Sequence, residues 1–233
     1  PGGDFGANKG KVFVHARFGQ GDGLALRHTY TGTANSTTFS GTDPDDTQFT
    51  LAQAWYQLDA PLSQRGEHKA VFTVGKIDPF GFFDQNAIAD DETRHFVNNV
   101  FVHNPLLDSG GDIGADRFGF SPGAVAAYEN SSDKSMPWGA SLGVFGSGHG
   151  ANFSGSSGKA FVMAQAWIAP RINQLPGTYR AYAWSNARGA DFDGSDARHA
   201  GVGMSLDQRF TDELTLFARY GHQTSGRVPF DDA

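Results

Sequence analysis

The chain of 233 residues is 39% hydrophobic but only 18% charged, with 31 glycines, 20 phenylalanines and no cysteine. The missing cysteine excludes disulfide staples and a thiol nucleophile, and the net charge of −7 argues against nucleic acid as a partner, because that role leaves a basic patch. No run approaches about 18 consecutive apolar residues, so no transmembrane helix is expected, and the mean hydropathy of −0.40 suits either a soluble protein or a transmembrane β-barrel, whose strands show lipid only every second side chain.

Many glycines and aromatics with few charges point to an all-β chain rich in turns. Period-two alternation predicts nine strands, at 11–18, 48–58, 69–77, 122–129, 138–146, 159–169, 177–186, 199–207 and 213–221, with "LALRHTY" at 24–30 as a tenth candidate. In "KVFVHARF", Val12, Val14, Ala16 and Phe18 share one face, and Lys11, His15 and Arg17 share the other. In "TYRAYAWS", Tyr179, Ala181 and Ala183 oppose Arg180, Tyr182 and Trp184. In "HAGVGMSLD", Ala200, Val202, Met204 and Leu206 oppose Gly201, Gly203, Ser205 and Asp207. In "ELTLFARYG", Leu214, Leu216, Ala218 and Tyr220 oppose Thr215, Phe217 and Arg219. Alternation alone does not say which face is wet.

The connections alternate between short and long: about ten residues after 48–58, over forty at 78–121, then eight, twelve, seven, about a dozen and about five. Outer-membrane barrels have short turns at one end and long loops at the other, and a soluble sandwich has no reason for this pattern. The long links "GSGHGANFSGSSG" and "NARGADFDGSDA" are polar, as solvent-facing loops should be. Tyr56, Tyr128, Trp138 and Tyr220 are expected near strand ends, as interfacial girdles. No repeat, heptad or linker stands out, so 1–233 is read as one domain.

Few motifs carry chemistry. "GQGDG" (19–23) and "GSGHG" (146–150) resemble phosphate loops, but neither leads into the helix whose amides that chemistry needs. "DFDGSD" (191–196) has its glycine in the wrong place for a calcium loop. The histidines lack metal-site spacing, and no GxSxG motif is present. No metal or cofactor is expected. The stretch "FTVGKIDPFGFFDQNAIADDE" (72–92) holds the chemical interest: a strand, an Asp-Pro break, three phenylalanines, then Asp84, Asp90, Asp91 and Glu92. Its carboxylates could serve as general acid and base, or merely favour a turn and a helix start, or line a loop folded into something hollow.

The order "AWYQLDAPL", "FTVGKIDPFGFFDQNAIADDETRHFVNNVFVHNP", "FSPGAVAAYE", "LPGTYRAYAWSN" and "LTLFARYG" resembles the OprB family of carbohydrate-selective porins, most specifically over 72–105. The resemblance implies an antiparallel transmembrane β-barrel in the outer membrane of a Gram-negative bacterium. Such a barrel passes sugars and similar small polar solutes by diffusion, sits among lipid and lipopolysaccharide, and leaves open a homo-oligomer. It makes 19–46 one extracellular loop, which demotes 24–30. Porin barrels of this kind have about 16–18 strands, so nine or ten strands imply an internal portion of a longer protein.

On that reading the inward, pore-lining candidates are Lys11, His15, Arg17, Gln53, Gln57, Gln165, Arg180, Tyr182, Trp184 and Arg219. Residues 78–120 form the longest extracellular loop and fold into the lumen, because Phe80, Phe82, Phe83, Phe96, Val100, Phe101 and Val102 are too apolar for water. This constriction loop would carry Asp78, Phe80, Phe82, Phe83, Asp84, Asp90, Asp91 and Glu92. A short helix is expected over 86–97, its carboxylates facing Arg17, Arg180 and Arg219 across a water-filled gap. Two other readings compete. One is a soluble β-sandwich that binds carbohydrate on Phe80, Phe82 and Phe83; the other is a glycoside hydrolase using Asp84 with Asp91 or Glu92.

Overall fold

The computed structural model describes residues 8–20, 47–91, 94–96, 99–108, 120–147, 159–190 and 196–225. They form one antiparallel sheet in which each long strand pairs with its neighbour in sequence. Its strands are β1 (Lys9–Gln20), β2 (Thr47–Pro61), β3 (His68–Ile77), β4 (Ser121–Asn130), β5 (Trp138–Phe145), β6 (Phe161–Ile168), β7 (Arg171–Ile172), β8 (Leu175–Ala190), β9 (Asp196–Arg209) and β10 (Thr215–Ser225). All nine expected strands are present, and β8 and β9 run several residues past their expected ends. The tenth strand is the two-residue β7, which pairs with the start of β8. Asn173 and Gln174 close that hairpin with positive φ at both positions, the geometry a tight two-residue turn demands. The candidate at 24–30 lies outside the described residues.

Alternation sorts the two faces. Val12, at 73% exposed, and Val14, Val202, Leu214 and Leu216 stand uncovered on the outer face. The inner face is covered by the chain between β3 and β4. There Ile77, Phe80, Phe83, Leu106 and Leu107 pack with Val125, Phe145, Phe161, Met163, Tyr182 and Trp184 into the hydrophobic core. The core therefore lies between the loop and one face of a single sheet, and no second sheet faces it among the described residues.

That packing requires strong curvature. Phe82 meets Trp55 of β2 edge-on at 6.0 Å, and Phe83 meets Phe145 of β5 at 6.0 Å. Asp84 bonds Gln165 of β6, Tyr182 of β8 and Arg219 of β10. Laid flat, the path from β2 to β10 crosses seven strand spacings, about 34 Å at about 4.8 Å each. Three extended residues span only about 10 Å. The sheet must wrap around Phe82–Asp84 for all five contacts to form.

The helical parts of the loop are single turns: a 3-10 turn at Pro79–Gly81, α1 (Asn99–Val102) and α2 (Pro105–Asp108). The helix expected over 86–97 is absent from its described residues, which run as bends to Asp91 and then a turn closed by His95 donating to the Asp91 carbonyl. The Asn86 side chain accepts from the amides of Ile88 and Ala89, as a helix N-cap would. The stretch is instead tied to β9: Asn86 donates to Ser205 and to the Leu206 carbonyl, and the Ala87 amide donates to Asp207. The helix start that does form is Asn104-Pro105, where the Asn104 side chain accepts from the Leu106 amide and proline takes the first helical position. A second departure concerns the aromatics. Tyr128 and Trp138 touch at the short-turn end, at 5.4 Å, whereas Tyr56 and Tyr220 sit well inside their strands.

Phe83 is fully buried and closely framed, since a side chain at Gly143 would come within 2.7 Å of its ring. Phe83→Ala should cost about 3–5 kcal/mol, read from urea unfolding in detergent. A cost under about 1 kcal/mol would mean that the ring is not the core residue described here.

Candidate functional site

Asp84 is the point on which the loop turns. Its φ of 56° lies in the left-handed region, which Asp tolerates better than most residues. Its carboxylate is fully buried yet fully met. Oδ1 accepts from the Tyr182 hydroxyl at 2.9 Å and from Arg219 Nε at 3.1 Å, and Oδ2 accepts from the Asn104 amide at 2.7 Å. The Asp84 carbonyl accepts from Arg219 Nη2 at 2.8 Å, and its amide donates to Gln165 at 3.0 Å. Arg219 also donates to the Phe101 carbonyl, so one guanidinium ties both limbs of the loop to β10.

Two neighbouring inward rows hold this arrangement. In the first, Arg180, Ser205 and Arg219 lie side by side on β8, β9 and β10. Ser205 donates to the Gln85 carbonyl and accepts from Asn86, while Arg180 pairs with Asp207 at 3.3 Å and Asp207 accepts from the Ala87 amide. In the second, Tyr182, Gly203 and Gly221 lie side by side. A Cβ at Gly203 would come within 2.5 Å of the Tyr182 ring, and one at Gly221 within 2.5 Å of the Asn104 amide nitrogen. Glycine at both places lets the tyrosine lie flat and the loop come close.

Burial dominates the electrostatics. It pushes the Asp84 carboxyl up, against the pull of Arg219, Tyr182 and Asn104. Burial pushes Asp90 up to about 8, again against Arg219, with the charges of Asp84 and Asp78 adding to the rise. Asp90 stands 3.8 Å from Arg219, too far for a hydrogen bond. Burial also holds His103 down at about 3, so the imidazole stacked on Phe80 at 3.9 Å stays neutral.

The candidate lining residues separate into two groups. Gln165, Tyr182 and Trp184 are buried beneath the loop, and the side chains of Arg180 and Arg219 are nearly so. Lys11, His15, Arg17, Gln53 and Gln57 are on β1 and β2, exposed or half-buried. The loop carboxylates do not face all three arginines across a gap. Asp84 touches Arg219 directly, Arg180 is taken by Asp207, and Arg17 lies over the Phe120 ring at 4.8 Å. Asp78 caps the 3-10 turn by accepting from the Phe80 amide. Phe80 and Phe83 belong to the core, Phe82 packs against it, and Asp91 pairs with Arg94 at 3.5 Å. Glu92 lies outside the described residues.

Sequence reasoning missed Trp55, Phe13, Asn104 and Asp207. The first two share the parity of Gln53, Gln57 and Lys11, and that parity is the signal that assigns their face. Asn104 was legible as an Asn-Pro helix start.

No protein-family model and no curated protein matches the sequence. Among solved structures, the chain is similar to OprB of Pseudomonas putida determined at high pH, with a TM-score of 0.55 and 18% identity. The fold is porin-like. At 18% identity the likeness is one of fold, and it takes in 79% of this chain but 48% of the other. Among the described residues the sheet is not closed.

Asp90 gives the site a pH dependence. Its carboxyl titrates near 3.8 when free and near 8 when the loop is docked. Docking therefore takes up a proton between those values, and it weakens as pH rises through that window. Proteolysis of the 78–108 segment, normalised to an unfolded substrate, should accelerate from pH 4 to pH 8 and then level off. Asp90→Asn should make the slope shallower, the remainder coming from Asp84, whose carboxyl burial also pushes up. Docking that tightens with rising pH would contradict the assignment.

Proposed function

We propose that this chain forms part of the wall of an outer-membrane porin that passes small polar solutes, sugars foremost, by passive diffusion. The observation that carries the reading is the inside-out arrangement of one sheet. Its outer face shows a belt of uncovered aliphatic side chains, while its packed core lies on the other face under a folded-in loop. Lipid satisfies such a belt and water does not. A sandwich would bury both apolar faces against a second sheet. As a general acid or base, Asp84 would need an approach for substrate, and its position beneath Arg219, Tyr182 and Asn104 offers none.

Closure sets a condition on strand number. Among the described residues, nine long strands alternate in direction from β1 to β10, so the two edge strands run the same way. An all-antiparallel ring then needs an odd number of further strands, and the total comes out even, as in bacterial outer-membrane barrels. Unpaired edges would be costly in lipid, where each unsatisfied backbone group costs several kcal/mol. In this barrel, residues 78–120 form the constriction, the whole chain is one barrel domain, and lipid and lipopolysaccharide surround it. The sequence resemblance to the OprB family of carbohydrate-selective porins is what favours sugars among polar solutes.

The full-length protein in planar bilayers should give stepwise single-channel currents. Deleting about ten residues around 84–94 should raise the conductance and weaken discrimination between sugars. Val202→Arg or Leu216→Arg near the bilayer midplane should lower stability in lipid by about 2–4 kcal/mol. Absence of channel steps, together with arginines that cost nothing on the outer face, would sink the proposal.

A further inference from the structure

The loop covers the inner face unevenly, and the half it leaves open has a chemistry of its own. On β1, the inward positions carry Lys11, Phe13, His15 and Arg17 in succession. Phe13 stacks on Trp55 of β2 at 4.8 Å with 19° between the planes, and Lys11 sits over the same Trp55 ring at 5.0 Å. His15 stands edge-on to Phe13 at 6.4 Å and to Phe120 at 6.3 Å. Arg17 lies over Phe120 at 4.8 Å. Two cations, Lys11 and Arg17, thus bracket the rings of Phe13 and His15 along the strand, six residues apart, or about 20 Å at about 3.4 Å per residue.

Direct ion pairs do not cancel the two cations of this track, although Asp59 and Asp78 both bond to glutamines of the same wall. Among the described residues, neither Lys11 nor Arg17 has a carboxylate within ion-pair distance. Asp59 accepts from Gln57 and lies opposite Lys9 in the register, at the end of β1 far from Arg17. The loop carboxylates Asp84 and Asp90 are held with Arg219 on the other wall. A cation over a ring face keeps much of its attraction for an anion, because the cation–π contact is worth only about 0.5–1 kcal/mol at an exposed site. The stacked Phe13–Trp55 pair offers a flat apolar surface beside it.

We infer that the β1–β2 wall is a track for small ring-bearing carboxylates, which the protein passes in preference to the corresponding neutral sugars. The inference rests on the channel reading above and names the solute class at that same site. The carboxylate pairs with Lys11 at one end and Arg17 at the other, while the ring passes over Trp55 and Phe13. Neutral sugars use the same rings without the charge.

The test uses the full-length protein in planar bilayers. Glucuronate should reduce the potassium chloride current at concentrations roughly three- to fivefold lower than glucose does, the size of one favourable exposed charge contact. The reversal potential in a salt gradient should show anion selectivity. Lys11→Gln with Arg17→Gln should bring the glucuronate-to-glucose ratio close to one. Trp55→Ala should narrow the gap between glucuronate and acetate, which lacks a ring. Equal block by glucuronate and glucose in the unmodified channel, or cation selectivity, overturns the inference while the channel reading stands. Absence of any conductance removes both.

Discussion

A carboxylate taken out of water must have its charge met where it lies, and Asp84 meets that demand through Arg219. The pair joins residues far apart in the chain, from the start of one loop to the last described strand. With the charge matched, the remaining donors fall into place: Tyr182 from β8, the Asn104 amide from the far limb of the loop, and Gln165 accepting from the backbone. Removing either partner would leave an uncompensated charge in the core, which costs about 3–5 kcal/mol. The curvature of the sheet, the course of the loop and the position of the core all follow from holding these groups together.

The same constraint explains the uneven inner face. Because the anchor is on β10 and its helpers are on β6, β8 and β9, the loop lies over that side and buries Tyr182 and Trp184 there. Inward glycines on β9 and β10 make room for it. The β1–β2 side keeps its cations and the Phe13 and Trp55 rings exposed or half-buried, and loop carboxylates that could have neutralised them are spent on Arg219 and on turn caps. Electrostatics on one wall thus decides what the opposite wall can offer a solute.

Much of this was legible in the sequence, and the limit is a physical one. Strand parity is local: Lys11, His15 and Arg17 alternate with Val12, Val14 and Ala16, and the faces follow from a period of two. The burial of Phe80 and Phe83 was legible because rings of that size in a long link need somewhere dry, whereas Phe96 and Phe101, expected to be buried by the same argument, stay exposed. The helix was misplaced because Asp90, Asp91 and Glu92 suit a helix start by composition, while Asn86 and the Ala87 amide are tied to Ser205, the Leu206 carbonyl and Asp207 on β9, about 120 positions away. Which arginine would meet which carboxylate was equally hidden. Arg180 and Arg219 both lie opposite Ser205, two positions from Asp207, so the register does not choose between them; the loop does, by bringing Asp84 to Arg219 and leaving Asp207 to Arg180.

The central claim is that the Asp84–Arg219 pair holds the loop against the inner wall, and amide hydrogen exchange on the full-length protein in micelles tests it most directly. The amides of Asp84 and Asn104 should both exchange slowly, since one donates to Gln165 and the other to the Asp84 carboxylate. In Arg219→Met both should speed up together, while the β8 and β9 amides stay protected. Fast exchange at Asp84 and Asn104 in the unmodified protein, or slow exchange that survives the loss of Arg219, would contradict the account.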